Sequence, residues 1–250
     1  MYDAKEAAIR ALEIDNTLAE AHAELAYTKM LLDFDFAGAE KGFIRALELN
    51  PNYAGAHFRY ARLLTWLKRF DEAREELQRA IILDPLAYGY MIEFGRSYYW
   101  ARDYDRAIEE YSKILEIYPE SQVTHAHIAL ALSMKGLHEE AIKEFSIVTN
   151  KDTWYWFYLG YIYGNAGEMR KAQEVLDYYA ELSKSEFVWP VIYVFIYAGM
   201  GETDKALDWL ERTYEQREAW MEVIRVEPMF DNLRSDPRFQ AIVEQMNFPD

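Results

Sequence analysis

A 250-residue chain that is 51% hydrophobic and 16% aromatic carries enough apolar surface to fold, which excludes an intrinsically disordered chain. Its formal charge of −16 repels phosphate backbones and disfavours sequence-independent nucleic-acid binding. Cysteine is absent, which removes disulfides, thiolate metal sites and cysteine nucleophiles, and fits the cytoplasmic location expected for a chain with no visible signal peptide.

Residues 1–16 read as a lone second helix, with Ala4, Ala8 and Ala11 and no first helix before them. An array that starts in mid-repeat leaves an apolar face uncovered, so these residues are expected to be the remnant of a truncated repeat in a piece of a longer protein. A self-contained capping helix is the alternative. From there an alanine recurs at Ala4, Ala39, Ala73, Ala107, Ala141, Ala172 and Ala206, at spacings of 35, 34, 34, 34, 31 and 34. Four residues after each from Ala39 onward stands a bulky residue: Phe43, Leu77, Tyr111, Phe145, Leu176 and Leu210. Self-similarity at this period predicts a stacked array of supersecondary units.

Each unit predicts two helices. The first carries a large residue followed by a smaller one, as in Leu25-Ala26, Tyr60-Ala61, Phe94-Gly95, Ile128-Ala129, Leu159-Gly160 and Tyr193-Val194. Small residues let antiparallel helices approach closely. Pro51, Pro85 and Pro119 end second helices, because the residue before proline avoids the helical region. Gly136, Gly167 and Gly201 mark the turn inside later units, where a left-handed residue closes the first helix. Lys68 and Arg102 take that place earlier and specify it less clearly. The apolar stretch 187–200 contains Pro190 and is too short to span a bilayer, so it is expected as a helix of the stack and not as a membrane segment.

These residues resemble the tetratricopeptide repeat, best seen in Phe94, Gly95, Tyr98, Tyr104, Ala107, Tyr111 and Pro119. The resemblance implies an all-α fold, a right-handed α-solenoid of antiparallel helix pairs, with six units over 17–217. Tyr179 and Thr213 stand where a small residue is usual, so packing in the last two units is expected to be looser or altered. Residues 218–250 form a non-repeat capping segment. In it Ser235 or Asp236 can cap a helix beginning at Pro237, and Phe239, Ile242, Val243 and Met246 make one apolar stripe. The phrase Leu233-Arg234-Ser235-Asp236-Pro237-Arg238-Phe239 is similar to the terminal element of repeat regions in bacterial and archaeal regulators. Those arrays follow a CadC-type winged-helix, adenylate cyclase or protein kinase domain.

Chemistry is hard to find. His22, His57 and His125 fall at one equivalent place, which points to packing. The pair His125 and His127 is spaced by two, which on a helix is not a chelating spacing. No nucleophile elbow, Walker loop or dinucleotide fingerprint is present, so no catalysis, cofactor or metal is expected. A residual possibility is a site in the aromatic fifth unit, around Trp154, Phe157, Tyr158, Tyr161 and Asn165.

The resemblance places the first helices on the concave face of a superhelix, where a protein or peptide segment lies. The residues expected to line it are Tyr27, Phe58, Arg59, Arg62, Trp66, Arg96, Tyr99, Trp100, His127, Phe157, Tyr158 and Tyr161. Arg62 and Arg96 are equivalent in adjacent units, as are Trp66 and Trp100, and cationic donors beside indoles suit an acidic or aromatic segment. The alternative is that these arginines pair with Glu93 or other acids of the chain. The places of the family's chaperone-tail clamp hold Ala23, Tyr27, Arg59, Gly89 and Glu93, so that recognition is not implied. The expected function is therefore protein or peptide binding, as the sensor or scaffold part of a larger regulatory protein, by a monomer or weak homodimer. The alternative is a scaffold whose groove is filled by its own tail or a second copy.

Overall fold

The computed structural model describes residues 2–151, 155–216, 220–246 and 248. These form fourteen α-helices with no strand among the described residues: α1 (Tyr2–Ile14), α2 (Ala19–Thr28), α3 (Phe36–Leu49), α4 (Ala54–Trp66), α5 (Phe70–Leu83), α6 (Tyr88–Trp100), α7 (Tyr104–Ile117), α8 (Gln122–Met134), α9 (His138–Phe145), α10 (Phe157–Asn165), α11 (Met169–Leu182), α12 (Pro190–Gly199), α13 (Thr203–Glu215) and α14 (Pro237–Gln245). Contacts divide the chain into two compact units, Met1–Ser97 with Met246–Asp250, and Tyr98–Gln245. In the first, α1 packs on α2, α2 on α3, α3 on α4 and α4 on α5; in the second, α8 packs on α9, α10 on α11 and on α12, and α12 on α13. This is the all-α solenoid of helix pairs that the period predicts.

The alanine ladder is the seam of both units. Ala39, Ala73, Ala107, Ala141, Ala172 and Ala206 are all fully buried, and so are Phe43, Leu77, Tyr111 and Leu210. Tyr179 and Thr213 are buried too, the latter turning its hydroxyl back to the carbonyl of Trp209 at 2.8 Å. Where the ladder's spacing departs from 34, the backbone departs with it. The 35-residue step contains a π-helical turn over Lys29–Asp33, which takes up one extra residue and brings Phe34 to φ 50°. The 31-residue step begins in α9, which has 8 residues where α3, α5, α7 and α11 have 14; Val148 lies past its end and is still buried.

The turns inside the pairs share one closure. At Lys68, Arg102, Gly136, Gly167 and Gly201 the backbone is left-handed, with φ between 62° and 79°. In each, the amide of that residue reaches the carbonyl three back and the next amide reaches the carbonyl five back, as with Gly136 to Ser133 (3.0 Å) and Leu137 to Leu132 (3.0 Å). This pair of hydrogen bonds satisfies carbonyls that a helix end leaves orphaned. Lys68 and Arg102 adopt it without being glycine. At the other end of the pairs, α3, α5 and α7 stop one residue before the Asn50, Asp84 and Tyr118 that precede proline. The apolar stretch 187–200 supplies α12, and no described helix is long and apolar enough to cross a membrane.

Past α13 the chain runs through short 3-10 turns at Met221–Val223 and Pro228–Phe230 into α14, whose start is capped by Asp236 accepting from the Arg238 amide at 2.8 Å. α14 lies on α13, tied by Arg238 to Asp208 (2.6 Å) and Glu211 (2.8 Å), and Phe239, Ile242 and Met246 are buried. Trp154 lies outside the described residues.

Candidate functional site

The residues expected to face a ligand fall into two sets, one in each compact unit. In the first, neighbouring first helices are stitched by arginines. Arg59 donates to Glu24 at 2.5 Å and lies over the Tyr27 ring at 4.6 Å. Arg62 donates to the Tyr27 hydroxyl at 3.1 Å, lies 5.2 Å from the Trp66 ring and stands 3.9 Å from Glu93. Arg96 donates to the other oxygen of Glu93 at 3.2 Å. Glu93 is buried, so its charge is held by the two arginines rather than by water. Phe58 rests against Tyr90 at 4.7 Å. Trp66 is fully buried, and its Nε1 has no acceptor among the described residues. Tyr27, Phe58, Arg59, Arg62 and Arg96 keep partial exposure.

In the second unit the residues expected to face a ligand are already engaged by the chain itself. Glu227 is buried at 1% exposure and accepts from the Tyr99 hydroxyl at 2.8 Å, the Trp100 Nε1 at 3.0 Å and the Met229 amide at 3.2 Å. A buried carboxylate is tolerated only when its oxygens find such donors. Arg102 adds a second clasp: it donates to Asp231 at 2.6 Å and to the carbonyls of Val226 (2.9 Å) and Trp100 (2.5 Å). Arg234 locks the segment on itself, donating to Asp231 (2.6 Å) and to the carbonyls of Ile224 (3.0 Å) and Glu227 (2.8 Å). Burial first, and then the Glu227 charge, holds the Tyr99 hydroxyl far above the ordinary phenol range. Burial likewise pushes Tyr104 up to about 12 and raises Tyr161 further.

Apolar contacts follow the same path. Phe230 stacks on Phe195 with ring centres 4.9 Å apart, and Phe195 stacks on Phe157 at 5.0 Å. Trp220 meets Phe195 edge-on at 5.4 Å. The apolar face of α12 is thus covered by the residues that follow α13. His127 is buried between Tyr111 (5.3 Å), Tyr155 (4.9 Å) and Tyr158 (5.7 Å), and Tyr161 reaches the Met134 sulfur at 3.8 Å. Phe157, Tyr158 and Tyr161 are buried as well.

The recurring histidines are structural posts. Nε2 of His22, His57 and His125 stands 3.0, 2.9 and 3.2 Å from the carbonyl of the residue six before it: Asn16, Pro51 and Pro119. Nδ1 of His57 meets Glu76 at 2.5 Å, and Nδ1 of His125 meets Glu144 at 2.6 Å. The rings of His57 and His125 therefore tie the incoming loop to the second helix of their own unit, while His22 meets the incoming loop. No cluster of metal-ligating side chains occurs among the described residues.

Glu227, Asp231, Arg102 and Arg234 were not among the residues expected from sequence to take part. No period marks Glu227, Asp231 or Arg234, since they lie outside the repeats, and Arg102 reads from sequence only as a turn residue.

Two tetratricopeptide-repeat family models match the chain, over residues 30–91 and 67–121. No curated protein matches. Among solved structures, a tetratricopeptide repeat protein from Parabacteroides merdae is similar at 18% identity and TM-score 0.66, over 92% of this chain and 90% of that one. PilF of Pseudomonas aeruginosa is similar at 16% identity and TM-score 0.53, over 92% and 98%. YrrB, described as a TPR protein with an unusual peptide-binding site, is similar at 17% identity and TM-score 0.50, over 89% and 98%. Such identities carry the fold alone; the two family models between them match residues 30–121, and helix pairs of the same fold continue beyond.

Proposed function

We propose that this chain is a non-catalytic protein-binding module. It serves in the cytoplasm as the sensor or scaffold region of a larger regulatory protein, of the kind that carries a winged-helix, cyclase or kinase domain ahead of its repeats. Its partner is an acidic, aromatic-bearing segment laid along the first helices. The observation that supports this is the hold on Glu227 by Tyr99 and Trp100: a first-helix face of this chain already carries a segment of that chemistry. In the first unit Arg59, Arg62 and Arg96 are engaged by Glu24 and Glu93, so a ligand there competes with those carboxylates. The same hold on Glu227 favours a second reading, in which the face is permanently filled by the chain and the module is a scaffold.

Photo-crosslinking separates the two. Acidic, aromatic peptides carrying a photoreactive group are expected to label Tyr27, Phe58 or Arg59, or residues beside Tyr99, with yields that fall as salt rises. Labelling confined to second helices, or none at millimolar peptide, leaves only the scaffold.

A further inference from the structure

Among the buried apolar residues Val226, Met229 and Phe230, the segment places one buried carboxylate, Glu227, on the donors of Tyr99 and Trp100. Exchanging a buried carboxylate for an apolar contact is often neutral or stabilising, so a segment fixed for good has no need of one. The donor also belongs to the repeat and not to the tail. Trp100 sits at the place equivalent to Trp66, whose Nε1 is buried with no acceptor among the described residues. A buried indole donor thus recurs at this place in two successive repeats, and Glu227 meets it in one of them. The segment itself is pre-folded, because Arg234 closes it on the carbonyls of Ile224 and Glu227. These bonds lie within the segment and do not involve the residues it rests on. Its outer clasp, Arg102 with Asp231, is partly exposed and open to competition from water and ions.

We infer that residues 226–231 are a resident ligand, and that the seat formed by Tyr99, Trp100, Arg102 and Phe195 takes partner segments of the same chemistry in exchange for it. That chemistry is a carboxylate in the place of Glu227, an aromatic ring three residues on in the place of Phe230, and a second carboxylate in the place of Asp231. The inference rests on the peptide-holding function proposed above, and adds which partner the seat selects and what keeps it closed.

The test uses the whole chain and a fluorescent peptide with the sequence of residues 224–234. Glu227→Gln in the chain weakens the resident and leaves the seat, so the peptide binds that variant about tenfold or more tightly than it binds the wild type. A peptide with glutamine in place of its own glutamate loses that gain, as does the peptide offered to a chain carrying Glu227→Gln with Trp100→Phe. If Glu227→Gln does not fold, Asp231→Asn, at an exposed pair, is read the same way. In the unaltered chain, bound peptide speeds amide hydrogen exchange at 226–231. Equal affinity for wild type and variant, or bound peptide with unchanged exchange, overturns the exchangeable resident while leaving peptide holding intact. Absence of binding to every chain overturns both.

Discussion

His57 meets Glu76 through Nδ1 at 2.5 Å while its Nε2 stands 2.9 Å from the carbonyl oxygen of Pro51. Both partners are acceptors, so only the doubly protonated ring satisfies both. Burial is the largest influence on the ring and works against its charge. The hydrogen bonds to Glu76 and Pro51 and the charge of Glu76 outweigh burial and the opposing Arg79, and the pKa ends above its ordinary 6.5. A group raised on folding contributes stability in full below its unfolded pKa and loses it as pH climbs through the folded one. The wild type is therefore expected to lose stability relative to His57→Gln as pH rises from below 6.5 through the raised pKa of the folded ring. Urea midpoints across that range measure it, and parallel profiles for the two proteins would remove the ion pair from the account.

Ala107 is fully buried at a helix seam, and Ala107→Leu is expected to overpack it at about 1–3 kcal/mol. Gly164 is tighter still: a Cβ there would stand 2.6 Å from backbone atoms of Gly199 and Met200. Gly164→Ala forces α10 and α12 apart at a similar cost of about 1–3 kcal/mol. Gly89, with nothing within 4 Å of such a Cβ, is the control that Ala leaves unharmed. Thermal unfolding of the three variants tests the order, and a Gly164→Ala midpoint equal to that of Gly89→Ala would refute the close approach.

Lys68 and Arg102 share a left-handed backbone, at φ 62° and 63°, but not a job. A side chain in that conformation costs about 1–2 kcal/mol, so Lys68→Gly is expected to raise stability by up to about 1 kcal/mol. Arg102→Gly relieves the same strain but gives up the contacts to Asp231 and Val226. It is expected to loosen residues 226–231, read as faster amide exchange there. Matching effects of the two substitutions would deny Arg102 its clasp.

What the sequence shows and what it hides divide along periodicity. The ladder alanines, the proline-marked helix ends and the glycine turns repeat, so one unit's chemistry identifies the others. Even the irregular steps are informative afterwards, since 35 residues became a π turn at Lys29–Asp33 and 31 began with a short α9. The left-handed Lys68 and Arg102 carry no local mark, because the closure is imposed by the fold and not by residue type. Glu76 and Glu144, each 19 residues after its histidine, were visible had the interval been sought. The clasp on Glu227 was not, because one of its sides never repeats. The segment was legible as something that covers the last helices, but not as an occupant of the third repeat's face.

The hydrogen bond from Tyr99 to Glu227 spans 128 residues. Helix pairs of a repeat array can form one after another as synthesis proceeds, each resting on the pair before it. Tyr99 and Trp100 then leave the ribosome long before Glu227 exists. During that interval Tyr99 and Trp100 have no Glu227 to donate to. On the exchange proposed above, the order of translation sets a window in which a partner segment meets no competitor at that seat.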